Sequence, residues 1–123
     1  MLGLPYAFAS HFAPDYLFDA LKAYRGEFRP SEHLDRPYAM VAINVVAADT
    51  DAEARRLFTS QQVQSTDMLR GKRDPLGPPI DDIGRYWTPT EKPAVEHKLT
   101  YSFVGAAETV QRSLADLINR TDA

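Results

Sequence analysis

The stretch of residues 38–58, YAMVAINVVAADTDAEARRLF, constrains this chain more than any other. Residues 38–48 form an unbroken apolar run containing Tyr, Val and Ile, with Asn44 as its one polar residue. A run without alternation reads as a strand buried on both faces, the kind found in parallel sheets. It stops at Asp49 and Thr50. Thr50 with Glu53 three positions on has capping-box spacing, so a helix starts there and carries apolar Ala54, Leu57 and Phe58. Strand, short turn and helix make half of a β-α-β unit.

A second such unit precedes it. Residues 4–9, LPYAFA, read as another buried strand, with Gly3 and Pro5 at its entry and polar Ser10 and His11 at its exit. Pro14 suits a first helical turn, and Tyr16, Leu17, Ala20, Leu21, Tyr24 and Phe28 recur at helical spacing on one stripe. Arg29 and Pro30 end that helix. The two strands start 34 residues apart, close to the roughly 31 residues of one βα unit in an eight-fold barrel.

The helix from Thr50 continues to Leu69, because no breaker comes before Gly71. Residues 72–82 hold three of the nine prolines and read as a loop. Residues 83–87 are expected to be extended. Thr88 and Glu91 form a second capping box, and Pro93 is expected to push that helix start a turn later. Residues 101–104 read as a brief extended link, Gly105 as a turn, and residues 107–120 as a last helix with Val110, Leu114, Leu117 and Ile118 on one face. Four helices accompanied by two strands make an unfinished inventory. The expectation is a piece of a larger α/β protein, or a chain that associates to cover its edges.

At 123 residues the chain has the length of one domain, taken as residues 1–123, and 44% hydrophobic with 25% charged residues is ordinary for a globular protein. A net charge of −3 leaves no broad basic footprint for nucleic acid or anionic lipid. Without cysteine there are no disulfides, thiolate metal sites or cysteine nucleophiles, and a reducing cytosol is the default compartment. No apolar run approaches the roughly 18 residues that span a bilayer, and a cytoplasmic location is expected.

Four segments carry a resemblance: LGLPYAFASHFAP (residues 2–14), RPYAMVAINVVAADTDAEARRLF (36–58), WTP (87–89) and VGAAETVQRSL (104–114). In this order and spacing they resemble the C-terminal third of bacterial-luciferase-like, flavin-dependent monooxygenases. The resemblance implies an α/β fold that is a partial (β/α)8 TIM barrel: two parallel strand-helix units plus additional C-terminal helices. The first strand is then similar to the sixth of the barrel and the strand from Tyr38 to the seventh. It also implies reduced FMN and dioxygen acting on a small organic substrate, with a related deazaflavin left open as the cofactor. The family's phosphate-binding turn falls before Met1, so this chain alone is expected to bind flavin poorly and to be inert. One departure stands out. Where the family commonly has Ser or Thr and then Pro after the glycine matching Gly105, this chain has Ala106 and Ala107, which offer no capping oxygen; such a loss costs on the order of 1 kcal/mol.

Barrel enzymes keep their chemistry at the C-terminal ends of the strands, which singles out Ser10, His11 and Phe12. By the resemblance His11 is the catalytic candidate, able to donate to a flavin carbonyl, and Ser10, Phe12 and Asn44 are candidate cofactor contacts; a strand-end histidine bonded to a neighbouring loop and a buried amide paired within the protein are the plainer alternatives. His33 and His97 lack a second ligand at metal spacing. Arg70, Lys72 and Arg73 read as a solvated helix end, Trp87 as loop packing, and the glycines form no phosphate-cradling motif. The other class of function is a non-catalytic structural or interaction module, covering its edges as a homodimer.

Overall fold

Leu17, Leu21, Tyr101 and Leu117 form the centre of the fold, with Phe8, Ala39, Val41, Ile43 and Phe103 packed against them. These contacts join the two halves of the chain in a computed structural model that describes residues 2–123. The architecture is mixed α/β. In chain order it comprises β1 (Tyr6–Phe8), a 3-10 turn (Pro14–Tyr16), α1 (Leu17–Glu27), β2 (Ala39–Val41), β3 (Asn44–Ala47), α2 (Asp51–Leu69), a second 3-10 turn (Ile83–Arg85), α3 (Glu91–Lys98), β4 (Ser102–Gly105) and α4 (Ala107–Thr121).

β1 and β2 lie side by side and parallel, with Tyr6 opposite Ala39 and Phe8 opposite Val41. β3 pairs in parallel with β4, Asn44 opposite Ser102 and Ala47 opposite Gly105. The run of residues 38–48 is therefore two short strands in two sheets. The cause is a change of backbone partner: Ala42 N–H still donates to Phe8 O at 2.9 Å, whereas Asn44 N–H donates to Tyr101 O at 3.0 Å. The carbonyl of Ala42 at this break accepts from the hydroxyl of Ser10, so a backbone group leaving one ladder is not orphaned.

The expectation of burial on both faces also needs correction. Ala39, Val41 and Ile43 pack on the core, while Met40 and Val45 remain 48% and 47% exposed. Within these residues the sheets are covered by helices on one face. Two further readings change. Residues 101–104, expected as a brief extended link, and Gly105, expected as a turn, instead supply β4 (Ser102–Gly105). Residues 83–87 are not extended: a 3-10 turn forms there because Asp82 Oδ1 accepts the N–H of Gly84 at 2.9 Å. Strands of three or four residues are too short for periodicity to distinguish them from loops.

The helices follow their local signals closely. Leu17, Leu21 and Tyr24 form the buried stripe of α1, and the Tyr24 hydroxyl donates to Leu4 O at 2.7 Å and accepts from Tyr38 N–H at 3.1 Å, joining the entries of β1 and β2. Tyr16 and Ile118 fall off their stripes and are exposed. Thr50 Oγ1 accepts from Glu53 N–H at 3.1 Å at the start of α2. Its end is a Schellman turn, with Lys72 N–H on Asp67 O and Gly71 N–H on Met68 O around Gly71 at φ +82°. The second capping box is reciprocal: Glu91 N–H donates to Thr88 Oγ1 and Thr88 N–H to Glu91 Oε1. α3 begins at Glu91, two residues later than the Pro89 start that the capping box at Thr88 marks, and so holds Pro93 in its first turn, where no helical bond needs its missing N–H. α4 has no cap of its own, as Ala106 and Ala107 imply, yet Asp51 Oδ1 accepts from Ala106 N–H at 2.7 Å. The expected loss of a cap is made good from another helix.

Candidate functional site

α2 buries an unusual face. Besides Ala54, its buried residues are Thr59, Ser60, Ser65 and Thr66, hydroxyls where an amphipathic helix would carry Leu or Val. Two of these are spent on structure: Thr59 Oγ1 accepts the N–H of Ile80 at 2.8 Å, and Thr66 Oγ1 donates to Gln62 O at 2.7 Å. Beside them, Gln61, Gln64, Ser65 and Met68 recur at helical spacing and form one wall of a cleft of about 220 Å³. The other walls are His11 and Phe12 from the loop after β1, Asn44 at the start of β3, and Lys98 with Leu99 at the end of α3.

Long-range bonds hold these walls. The Arg70 guanidinium grips Glu91 in a bidentate pair, at 2.8 and 2.9 Å, donates to Tyr86 O at 2.9 Å and lies 4.9 Å above the Tyr86 ring. Tyr86 in turn donates its hydroxyl to Asp67. The end of α2 is thereby fastened to α3. Arg70, followed by the Thr88 backbone bond, lowers the Glu91 carboxyl to about 2. The Asp67 carboxylate, accepting the Tyr86 hydroxyl proton, raises the Tyr86 pKa. On the other side, His97 meets Asp15 at 2.8 Å and ties α3 to the turn that follows His11 and Phe12.

Three of the four site residues expected from the sequence, His11, Phe12 and Asn44, line this one cleft. Ser10 does not line it; its side chain is buried and committed to Ala42. The His11 and Phe12 rings lie 4.1 Å apart, and Phe12 is 69% exposed at the cleft. Asn44 Nδ2 donates to Ser102 Oγ at 3.3 Å across the β3–β4 pair. Among the described residues two buried side-chain atoms are exceptional: His11 Nδ1 and Gln61 Oε1 make no hydrogen bond. Leaving a buried polar atom unpaired costs about 1–3 kcal/mol, and each such atom needs a reason, a catalytic role or a bound water or ion among them.

The remaining candidates have structural places. His33 faces Glu32 at 3.5 Å, Trp87 is buried, and Arg70 belongs to the weld between α2 and α3. Among the described residues no group of three His, Cys, Asp or Glu side chains is placed to hold a metal ion, and no helix is long and apolar enough to cross a membrane. Sequence reasoning passed over Gln61, Gln64, Ser65, Met68, Lys98 and Leu99. A signal existed: QQVQST puts amides and hydroxyls through the middle of a long helix, where a face turned to the core is normally apolar.

No family model matches the chain. A protein of Escherichia coli strain K12 named "Luciferase-like monooxygenase" is 48% identical over 122 residues, which cover 99% of this chain and 36% of that protein. "Uncharacterized protein YvbT" of Bacillus subtilis strain 168 is 43% identical over the same length and shares. Among solved structures, the crystal structure of apo-MsnO8 matches with a TM-score of 0.76 at 26% identity, covering 99% of this chain and 37% of that one. The chain spans about a third of the length of the curated relatives it matches.

Proposed function

Since this chain is kin to the luciferase-like monooxygenases along 99% of its length and matches 36% of theirs, we propose that it is the C-terminal portion of a flavin-dependent monooxygenase. The parallel β1–β2 pair, with α1 connecting the two strands, then corresponds to two neighbouring units of a (β/α)8 barrel. Residues 1–123 act as one domain-sized part of that barrel. Met40 and Val45, exposed here, belong to the sheet face that the rest of the barrel covers.

One observation carries the flavin reading: the unbonded His11 Nδ1 and Gln61 Oε1, buried beside an aromatic wall at the C-terminal end of β1. A flavin ring edge offers alternating N–H and carbonyl groups and fits this pair. At about 220 Å³ the cleft falls below the roughly 300–1,000 Å³ of complete ligand sites, so it suits one edge of the cofactor rather than all of it. Reduced FMN, when bound, supplies the electrons for reaction with dioxygen and a small organic substrate. The chain's own part is to orient and to bond. His11 holds or accepts a proton at Nδ1, Asn44 stays oriented by Ser102, and Gln61 accepts from a ring N–H.

The test is a chimera in which these residues replace the matching 122 of the E. coli relative. The chimera should bind FMN, and His11→Ala or Gln61→Leu within it should weaken binding, while the isolated 123-residue chain binds FMN poorly and turns nothing over. A folded chimera blind to FMN would end the flavin reading. Tight binding by the isolated chain would end the claim that it is inert.

A second reading rests on the same exposed face. A chain working alone would cover Met40 and Val45 with a second copy and serve as a homodimeric interaction module. Sedimentation of the purified chain separates the two readings, since a stable dimer without flavin affinity favours this one.

A further inference from the structure

Lys98 closes α3 and lines the cleft beside Leu99. Its polar neighbour is the sulfur of Met68 at 3.5 Å, a weak acceptor, and among the described residues no carboxylate pairs with it. Arg56, Arg70 and Lys92 on the same two helices each have a carboxylate partner, Asp81, Glu91 and Glu96 respectively. The cleft itself has no acidic side chain in its lining, which beyond Lys98 and His11 is made of amides, one hydroxyl and apolar groups. A half-buried ammonium facing such a wall is complementary to an anion that arrives from outside.

Two further features narrow the anion. Lys98 stands at the C-terminal end of a helix, where the last carbonyls carry partial negative charge. A doubly charged phosphate would be opposed by those carbonyls, whereas one carboxylate is balanced by one ammonium. Phe12, Met68 and Leu99 then provide apolar contact for a short carbon chain, and Phe12 and Met68 are exposed large hydrophobics in need of one.

We infer that this cleft takes a small carboxylate-bearing organic substrate, its carboxylate on the Lys98 ammonium and its carbon chain against Phe12, Met68 and Leu99. This deepens the monooxygenase reading and rests on it, because it makes the cleft the place where substrate and ring edge meet.

Hexanoate and hexanol are suitable probes, equal in carbon count and different in charge. Titrated into the isotopically labelled 123-residue chain, hexanoate should shift the Lys98 side-chain NMR signals saturably and bind about tenfold more tightly than hexanol, the effect of one charge-assisted hydrogen bond. Lys98→Met should erase that preference and Lys98→Arg should keep it, with backbone spectra showing both variants folded. Equal affinity for the two probes, or a preference that survives Lys98→Met, overturns the inference. So does displacement of hexanoate from Lys98 by FMN but not by riboflavin, which would give the anion to the cofactor phosphate. The flavin reading fails separately: if the folded chimera with the E. coli relative does not bind FMN while the hexanoate preference of the isolated chain stands, Lys98 keeps its assignment and the cofactor does not.

Discussion

Asp51, the first residue of α2, accepts the backbone N–H of Ala106 at 2.7 Å, and with it the hydroxyl of Thr109 at 2.8 Å. One carboxylate thus opens its own helix and caps another whose N-cap residue lies 55 residues later. The acidic charge is favourable at both helix starts. Gly105 makes the approach feasible: a Cβ there would stand 2.6 Å from Thr109 Cγ2 and 2.7 Å from Asp51 Oδ1.

Asp51→Ala should therefore destabilise the fold more than Thr109→Val, since it removes the acceptor of both bonds. Gly105→Ala should cost about 1–3 kcal/mol by forcing the carboxylate off its position. Urea denaturation of the three variants gives the order, and an Asp51→Ala midpoint equal to that of the parent would show that the cross-helix cap contributes nothing.

Acid should unfold the chain partly through two carboxyls. Glu91 is lowered from an ordinary 4.5 to about 2 by Arg70 and the Thr88 bond, and Asp51 is lowered by the Ala106 bond and then by Thr109. At pH values between the folded and ordinary pKa the unfolded chain binds protons that the folded chain excludes, so stability falls with pH there. The contribution is whole above about pH 4.5 and gone once the pH passes below about 2 for Glu91. Thermal midpoints measured from pH 6 to pH 2 should fall less steeply for Glu91→Gln than for the parent; parallel slopes would deny Glu91 this role.

An unbonded buried amide oxygen is a liability to the free chain. Gln61→Met keeps the volume and removes the polar atom, and should raise stability by about 1 kcal/mol while weakening any flavin response of the chimera. Calorimetry with and without FMN checks both halves of this trade. A Gln61→Met variant less stable than the parent would mean that Oε1 has an internal partner after all.

Tyr24→Phe removes the hydroxyl shared by the entries of β1 and β2. The expected loss is about 1–2 kcal/mol, accompanied by faster amide exchange at Tyr38, whose N–H that hydroxyl accepts. Unchanged exchange at Tyr38 would show that the strand entries hold without it.

Much of this molecule is written locally. Thr50 with Glu53, Thr88 with Glu91 and Gly71 after Leu69 mark helix ends through bonds that span three to five residues, and the two apolar runs that became β1 and β2 pair in parallel as their shared pattern implies. His11 and Phe12 were legible as residues at a strand end and Asn44 as the lone polar residue of an apolar run, and the structure brings the three to one cleft. The tertiary structure decided what depends on partners far away in sequence. It divided residues 38–48 where the backbone passes from Phe8 to Tyr101, recruited residues 102–105 as a strand through that same exchange, and bound Ser10 to the break. It also placed Asp51 on a helix that lacked a cap, and brought the amide stripe of α2 and the ammonium of Lys98 to His11. The physical reason is range: a cap is satisfied within one turn of its own residue, whereas a strand of three residues or a lone polar atom acquires its meaning from the neighbour that folding brings to it.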